Sequence, residues 1–510
     1  MSALITRRQI LHASVAATFA PAFVRHALAA DTPRFALGIA SGHPRADRLV
    51  LWTRLGGEAL PERVDVRWEL AHDEAFTQIA ARGTEVAEAA WAHSVHAEPT
   101  GLEPGRWYWY RFSALGQRSA VGRTRTAPAA DALAGTLRFA IASCQRWDHG
   151  HYAAWRHAAA QEFDLVLFLG DYIYEYASPP IALRLHDGPA TRTLADYRAR
   201  YAQYKSDPAL QAAHAAAPWI TVWDDHEIEN DYAAGTPQTP DPFFAQRRAA
   251  ATQAYWEHMP FPKAMRPLHG FGTEMRLYDR YDWGTLARIH ALDDRQYRDV
   301  QACPKPGRNG SNTVLLKDCP ELADPKRTLL GAEQERWLAQ GWDTERPWNL
   351  LAQQTLMARL SWTDVATTGG SYWTDGWDGY PAARQRLLAP VAERKLPGVV
   401  VLGGDVHAHY VADLKADFDD PKAPVIATEF CGTSISSNGM AQSRTATAHQ
   451  LNPHVRYAHS DQRGYVGFTL GPKRLDASLY AVANPRDAGS AVNVAARFSV
   501  EVGAPGAQSS

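Results

Sequence analysis

The sequence has few cysteines, little net charge and no long apolar run, and each of these absences excludes a class of protein. Four cysteines among 510 residues are too few for a scaffold held together by disulfides. After the N-terminal region there is no run of about 20 apolar residues, so no stable membrane span is expected. A net charge of −2 supplies no broad basic field, so the chain is not expected to bind a nucleic-acid scaffold. What is present, 45% hydrophobic residues and 17 tryptophans, is enough for large packed cores.

The N-terminus carries an export signature. Arg7 and Arg8 precede a modestly apolar stretch over residues 10–23, and small residues at 27–29 suit cleavage. This pattern predicts a twin-arginine signal peptide over residues 1–30, with the twin-arginine export machinery as a partner. The protein is then expected to be periplasmic or secreted. The alternative is an ordinary amphipathic N-terminal helix.

Residues 31–130 have the texture of a small β-domain. Short runs at 49–53, 64–70 and 107–112 are rich in β-branched and aromatic residues, with Gly and Pro between them. The Gly-Leu-Glu-Pro-Gly turn at 101–105 resembles the turn before a late strand of fibronectin type III-like domains. We therefore expect an all-β domain here. It either packs against the rest of the chain or binds a ligand.

Residues 131–503 alternate apolar strand-like runs with helical segments, which indicates a layered α/β domain. Four of these runs are followed directly by residues that can bind metal ions. The runs cover residues 137–142, 163–169, 220–223 and 398–402. Ligands gather at the carboxyl ends of strands in α/β sheets, so the four clusters are expected to converge. Residues 504–510 are expected to form a flexible tail.

The side chains at these strand ends suggest two different metals. Asp171, Asp225 and Asp405 offer hard oxygen ligands, which suit calcium. Cys144 offers a soft thiolate, which favours a transition metal. Asp405 and His407 alternate as in an extended strand and are expected to project to one side.

The motifs Ser-Cys-Gln at 143–145, Gly-Asp-Tyr-Ile-Tyr-Glu at 170–175, Trp-Asp-Asp-His-Glu-Ile-Glu-Asn-Asp at 223–231 and Gly-Gly-Asp-Val-His-Ala-His-Tyr at 403–410 together carry a family resemblance. Their succession resembles that of the PhoD-like alkaline phosphatases, a branch of the calcineurin-like metallophosphoesterases. The resemblance implies a layered β-sandwich core flanked by helices, preceded by a fibronectin type III-like domain. It also implies hydrolysis of phosphomonoesters or phosphodiesters by metal-hydroxide attack.

The same resemblance implies a set of metal ligands. A ferric ion would be held by Cys144, Asp171, Tyr174 and His407. Asp171 would bridge it to a calcium ion that is also held by Asp225 and Asp405. Whether His407 or His409 reaches the iron is left open, because both lie on the same side at strand spacing. Glu227, Asn230 and Asp231 are candidates for a further calcium shell.

Two residues are candidates for contact with the substrate phosphate. His226 is placed to stabilise phosphoryl oxygens or to protonate the leaving alkoxide, the alternative being a role in orienting a ligand. Arg295 follows a strand-like run and either contacts phosphate or forms an internal ion pair. Residues 194–204 have helical periodicity and are expected to pack through their tyrosines rather than clamp phosphate.

The remaining alternatives concern the class of function. The leading hypothesis is an exported alkaline phosphatase acting as a monomer on a phosphate ester. A phospholipase D-like phosphodiesterase is the alternative within hydrolysis. A non-catalytic surface- or carbohydrate-binding protein with structural metals is the rival from another class. Cys303 and Cys319 flank a Gly- and Asn-containing loop and could form a disulfide, which leaves Cys431 as a small buried residue.

Overall fold

A computed structural model describes residues 33–270 and 272–510, so the predicted signal peptide lies outside the described residues. The strands up to residue 130 are β1 (Ile39–Gly42), β2 (Val50–Arg54), β3 (Arg63–Ala71), β4 (Ile79–Glu88), β5 (Ser94–Ala97), β6 (Trp107–Ala114), β7 (Gln117–Arg118) and β8 (Gly122–Arg125). The three strands predicted in this region are thus confirmed as β2, β3 and β6.

The first half of the following domain contains the elements β9 (Leu137–Ala142), α1 (Ala153–Ala159), β10 (Leu165–Leu169), α2 (Leu194–Lys205), α3 (Pro208–Ala216), β11 (Trp219–Val222), α4 (Phe244–His258), β12 (Asp279–Trp283), β13 (Ala287–Ala291) and β14 (Thr313–Leu315). The second half contains α5 (Gly331–Gly341), β15 (Trp348–Ala352), α6 (Val365–Thr368), β16 (Ser371–Trp373), α7 (Pro381–Glu393), β17 (Val399–Gly403), β18 (His409–Lys415), β19 (Val425–Cys431), α8 (Gln442–Leu451), β20 (Val455–His459), β21 (Gly464–Leu470), β22 (Arg474–Val482), β23 (Val492–Glu501) and β24 (Ala504–Ser509).

The N-terminal region forms a β-sandwich that is joined to the sheets of the following domain. In β6 fully buried residues alternate with half-buried ones, as expected for a strand with one face on a core. One sheet contains β4, β3, β6 and β7, with β8 paired to β6. The strands β1, β2 and β5 instead extend a ten-stranded sheet, because β1 pairs in parallel with β11. The sandwich therefore has its own core but shares a sheet with the next domain.

Two large sheets face each other in the rest of the chain. The ten-stranded sheet has the order β24-β23-β22-β21-β9-β10-β11-β1-β2-β5, and the seven-stranded sheet has the order β12-β13-β15-β17-β19-β18-β20. Side chains from both sheets, such as Leu167 and Leu402, form one core between them. Helices α1 to α4 cover the outer face of the first sheet, and α5, α7 and α8 cover that of the second. This helix–sheet–sheet–helix layering confirms the predicted fold class.

The middle strands of both sheets are buried on both sides. All five residues of β10 and all five of β17 are buried, which explains why their sequences are continuous apolar runs rather than alternating ones. The strands β9, β10 and β11 are parallel neighbours, so their carboxyl ends lie at one edge of the sheet. That edge provides the platform for the site described below.

The prediction of a flexible tail over residues 504–510 is wrong. The segment Ala504–Ser509 forms β24, which pairs antiparallel with β23. The Gly506 amide donates to Thr428 Oγ1 at 2.9 Å, and Ala507 is buried in the core between the sheets. The small and polar residues of this segment do not show the pattern of a strand, so the sequence did not predict one. Hydrogen bonding to the edge strand β23 orders the segment although its strand propensity is low.

Within the described ranges, no helix is both long enough and apolar enough to cross a membrane.

Candidate active site

The four strand ends that carry metal-ligand residues meet at one place. Cys144 follows β9, Asp171 follows β10 and Asp225 follows β11 in the ten-stranded sheet. Asp405 and His407 follow β17 in the facing sheet. Ligand atoms of Cys144, Asp171 and His407 all lie within 4.8 Å of one another. The strand ends of the two facing sheets therefore converge, as predicted.

The backbone at these residues is in an unusual conformation. Cys144, Asp171, Asp405 and His407 all have positive φ, at 59°, 59°, 63° and 53°. Non-glycine residues occupy this left-handed region rarely, at a cost of about 1–3 kcal/mol each, and such residues gather at functional sites. The expectation that Asp405 and His407 continue a strand is therefore wrong, because β17 ends at Gly403 and the chain turns before β18 begins.

One side of the cluster carries the sulfur, phenol and imidazole donors. The Tyr174 hydroxyl donates to Asp171 Oδ2 at 2.7 Å and lies 3.1 Å from His407 Nε2. Ser437 Oγ donates to the Tyr174 oxygen at 2.8 Å. Together with Cys144, these residues form what we call the thiol side: Cys144, Asp171, Tyr174 and His407.

The other side of the cluster is rich in carboxylates. Asp171, Asp225 and His226 form one group with ligand atoms within 4.8 Å, and Asp225, Asp231 and Asp375 form another. Asp405 is close enough for its charge to act on Asp225 and Asp171, and its Oδ2 accepts a hydrogen bond from Thr355 at 2.8 Å. We call these carboxylates the oxygen side: Asp171, which is shared with the thiol side, Asp225, Asp231, Asp375 and Asp405.

The charges of this cluster fit bound cations. Burial, with the Asp171 and Asp375 carboxylates, raises the pKa of Asp225 to about 7, although Arg295 and His226 oppose the rise. Burial and the carboxylates of Asp171 and Asp405 also raise the pKa of the Cys144 thiol well above its usual value. Asp225 Oδ1 is buried without a hydrogen-bond donor. A buried, partly unpaired set of acids is costly unless cations compensate it, so the donor set fits metal ions.

His226 is held in a fixed orientation beside the cluster. Its Nδ1 lies 2.7 Å from Glu175 Oε2, and its ring lies against that of Tyr174, with 4.1 Å between centroids and the planes tilted by 32°. Burial lowers the pKa of His226, but Glu175, Asp171 and Asp225 more than offset this and raise it well above the ordinary value. The carboxylate of Glu175 thus engages Nδ1 and favours the protonated ring.

The role predicted for Arg295 as a phosphate contact is wrong. Its side chain is 1% exposed, with Nε donating to Asp224 and Nη1 donating to Asp375 at 2.7 Å. The guanidinium is therefore consumed by internal ion pairs, the alternative that the sequence left open. It pairs with Asp224 and with Asp375, an acid of the oxygen side that the sequence analysis missed.

His409 does not reach the cluster. Its Nδ1 accepts from the Thr433 amide at 3.2 Å, and its Nε2 lies 3.3 Å from the Tyr480 carbonyl. Both ring nitrogens are engaged with backbone, and burial lowers the pKa of His409 to about 3. Of the two histidines, His407 is the one at the cluster, since the turn at 404–408 breaks the strand spacing that made them equivalent.

Several residues support the cluster through contacts that the sequence did not predict. Glu227 accepts the amides of Asp171, Tyr172 and Asp224 at 3.1, 2.6 and 2.9 Å, so it fixes two strand ends instead of joining a calcium shell. Arg200 of α2 donates to the carbonyls of Tyr174 and Tyr176. Gly170 is required because it has φ 100° and a Cβ there would lie 2.4 Å from Asp224 Cβ.

The helix predicted over residues 194–204 is confirmed as α2, with its tyrosines Tyr197, Tyr201 and Tyr204 fully buried. The disulfide between Cys303 and Cys319 is also present. It closes a loop whose Ser311 amide and hydroxyl donate to Asp231 Oδ2 at 2.8 and 2.7 Å. The disulfide therefore closes the loop that holds Asp231, one carboxylate of the oxygen side.

The layered sheets and the acid-, thiol- and imidazole-bearing strand ends are those of a metal-dependent phosphoric ester hydrolase. Comparison with known proteins agrees: the PhoD-like phosphatase model matches residues 139–479 and the model of its N-terminal domain matches residues 20–128. The chain is 43% identical over 481 residues to alkaline phosphatase D of Bacillus subtilis (strain 168), covering 91% of this chain and 80% of that protein. A solved structure of PhoD aligns with a TM-score of 0.87 at 41% identity, covering 93% of this chain and 92% of that one. The chain belongs to the PhoD-like phosphatase family and is a phosphoric ester hydrolase, so the non-catalytic alternative is wrong.

Proposed function

We propose that the protein is an exported alkaline phosphatase that uses a ferric ion and calcium to hydrolyse phosphomonoesters. The observation that carries the proposal is the division of one buried cluster into a thiol side and an oxygen side that meet at Asp171. When bound, the two cations neutralise the phosphate oxygens and lower the pKa of water so that a hydroxide nucleophile forms near neutral pH.

The donors of the thiol side favour a ferric ion. Cys144 offers a thiolate, Tyr174 a phenolate and His407 an imidazole, and this set suits a transition metal rather than magnesium or calcium. His407 Nδ1 lies 2.7 Å from the Asn438 carbonyl, which fixes the ring and leaves Nε2 toward Tyr174 and Asp171.

The donors of the oxygen side favour calcium. The residues Asp171, Asp225 and Asp405 supply carboxylate oxygens only, and calcium takes six to eight such ligands. Asp231 and Asp375 lie next to Asp225 and extend the oxygen side. They provide room for more than one calcium ion.

His226 is the proposed general acid. In hydrolysis the bond between phosphorus and the leaving oxygen breaks, and that oxygen takes a proton while water supplies the new oxygen on phosphorus. The protonated ring, held by Glu175 at Nδ1, delivers its proton from Nε2 to the leaving oxygen. The Tyr174 ring packed against His226 limits its rotation, so the proton stays aimed in one direction.

Metal content and colour test the metal assignment. A ferric ion bound by thiolate and phenolate should absorb visible light by charge transfer, whereas calcium or zinc has no accessible redox state for it. Cys144→Ser should weaken iron retention and shift the band. Cys431→Ser is the matched control, because Cys431 is an equally buried free thiol that donates to the Gly404 carbonyl instead. A colourless, fully active protein without iron would contradict the assignment.

Product release from three substrates tests the ester class. The holoenzyme is assayed with nitrophenyl phosphate, a bis-nitrophenyl phosphate and phosphatidylcholine vesicles. Faster turnover of the monoester supports the proposal. Faster release of choline from the vesicles would favour phospholipase D-like action instead.

Export is tested through the two arginines. Replacing Arg7 and Arg8 by lysine should trap the precursor in the cytoplasm, as measured by cell fractionation. The disulfide between Cys303 and Cys319 supports an oxidising destination. Unchanged export of the double-lysine variant would show that another route is used.

A further inference from the structure

A cavity of about 350 Å³ lies directly beside the metal-ligand cluster. Asp405 and His407 contribute to its wall, so the cavity and the cluster are continuous. The wall also contains Trp362, Trp373 and Met440. Among the described residues, its one acid besides Asp405 is Asp378, which pairs with Arg384. Binding pockets of this kind commonly occupy about 300–1,000 Å³ and combine apolar walls with a few polar groups.

The two indoles of this cavity are held in place by the fold. Trp373 lies in β16 and pairs with Thr313 of β14, and the Trp362 amide donates to the Ser371 carbonyl at 2.9 Å. Both indoles are only half buried, whereas Trp377 in the same wall is fully buried. A fixed, partly exposed aromatic wall binds a ligand without an added ordering cost.

A cation covers the outer side of one indole. The guanidinium of Arg444, on the exposed part of α8, lies 5.2 Å from the centre of the Trp362 ring. This contact restrains Trp362 from outside and places a positive charge at the mouth of the cavity. The cavity therefore offers an aromatic wall, a thioether and a cation around the space next to the reacting phosphate.

We propose that this cavity is the leaving-group subsite and that Trp362 and Trp373 select phosphate esters whose leaving alcohol carries a flat aromatic ring system. The inference rests on the proposed function, since it deepens the choice of ester at the same site. Indole faces and a thioether pair well with aromatic rings. The cavity volume of about 350 Å³ lies at the lower end of the range for small-molecule pockets, which suits a compact ring system.

The first test compares three monoesters on the holoenzyme: 2-naphthyl phosphate, phenyl phosphate and glycerol 3-phosphate. For each substrate, kcat/KM of a variant is divided by that of the wild type, so that the acidity of the leaving alcohol cancels. Trp362→Ala and Trp373→Ala should each lower kcat/KM about tenfold for the naphthyl ester, less for the phenyl ester and least for the glycerol ester.

Trp107→Ala is the matched control. Trp107 is another half-buried tryptophan beneath an arginine, with Arg123 3.7 Å from its ring centre, but it lies in β6 of the N-terminal sandwich. It should leave all three ratios near one. Equal losses on the three esters, or the same pattern in the Trp107 variant, would overturn the subsite.

The second test measures binding without catalysis. Titration calorimetry of the metal-loaded holoenzyme with 2-naphthol, a product that is not hydrolysed, should give a Kd about tenfold tighter for the wild type than for the two cavity variants. An unchanged Kd overturns the proposal. If the wild type hydrolyses none of the esters, the proposed function is wrong, but this titration still tests whether the cavity binds an aromatic ring. If phosphatidylcholine vesicles are hydrolysed and only that activity depends on the indoles, the occupant is an acyl chain and the aromatic assignment is wrong.

Discussion

The thiol side and the oxygen side of the cluster are built differently. The thiol side comes mainly from short strand-end turns, and its donors are linked by direct hydrogen bonds such as that from Tyr174 to Asp171. The oxygen side gathers carboxylates from distant segments, and a buried arginine, Arg295, holds two neighbouring acids, Asp224 and Asp375. Hydrogen bonds between its own donors therefore link one half of the site, and ion pairing with Arg295 organises acids of the other.

The largest expected effect comes from Asp171→Asn, because Asp171 is the residue that both sides share. Loss of its charge should release both metals and lower kcat/KM by a factor of about 10³ or more. Elemental analysis beside steady-state kinetics measures both. If binuclear metal binding persists, the two sides do not depend on a shared carboxylate.

A control separates this loss from general destabilisation. Asp413→Asn removes another buried carboxylate, which pairs with Arg456 and accepts the Ala507 amide in the β18–β24 region. It should lower the unfolding midpoint while metal content stays at the wild-type level.

His226→Ala should lower turnover by about 10² to 10⁴ while both metals stay bound, because the residue acts on substrate and belongs to neither side. Glu175→Gln should have a smaller effect, since it removes only the group that orients His226. Metal stoichiometry is measured with the rate. Simultaneous loss of metal and activity in the His226 variant would make this histidine a ligand.

The sequence predicted the thiol side better than the oxygen side for a physical reason. Cys144, Asp171 and Tyr174 lie within a few residues of apolar strand ends, and a parallel sheet brings such ends together. Asp375 follows the short edge strand β16, which carries no comparable signal. Arg295 also follows a strand, but its partners Asp224 and Asp375 are 71 and 80 residues away in the sequence. The sequence therefore could not identify which acids it pairs with.

In the rest of the fold, too, features with a local sequence pattern were predicted and features that depend on distant partners were not. The buried runs of β10 and β17 predicted the layered sheets, because a strand covered on both faces must be apolar throughout. The strand Ala504–Ser509 and the joining of β1 to β11 were missed, since both depend on pairing with an edge formed elsewhere in the chain. His409 was misjudged because the backbone turns at positive φ residues that no periodicity reveals.

Arg295→Gln should damage the oxygen side selectively. Removing one partner of a buried ion pair costs about 3–5 kcal/mol of unfolding free energy, because the carboxylates of Asp224 and Asp375 are left unpaired. Urea unfolding measures this, and calcium content should fall further than visible absorbance. Arg63→Gln, which removes an exposed pair with Glu88, is the control and should leave the midpoint nearly unchanged. Equal loss of both metals would show that Arg295 supports the whole cluster.

The smallest expected effect comes from the disulfide behind Asp231. Replacing Cys303 and Cys319 by serine removes a crosslink that spans 16 residues, which should lower the unfolding free energy by about 3 kcal/mol. The loop that it closes holds Asp231 through Ser311, so calcium affinity should fall while the thiol side keeps its iron and colour. Calcium titration beside the visible spectrum measures the two sides separately, and reduction of the wild-type disulfide should reproduce the variant. If stability falls but calcium affinity does not, the loop supports the fold without shaping the oxygen side, because the hydrogen bonds to Asp231 then form without the crosslink.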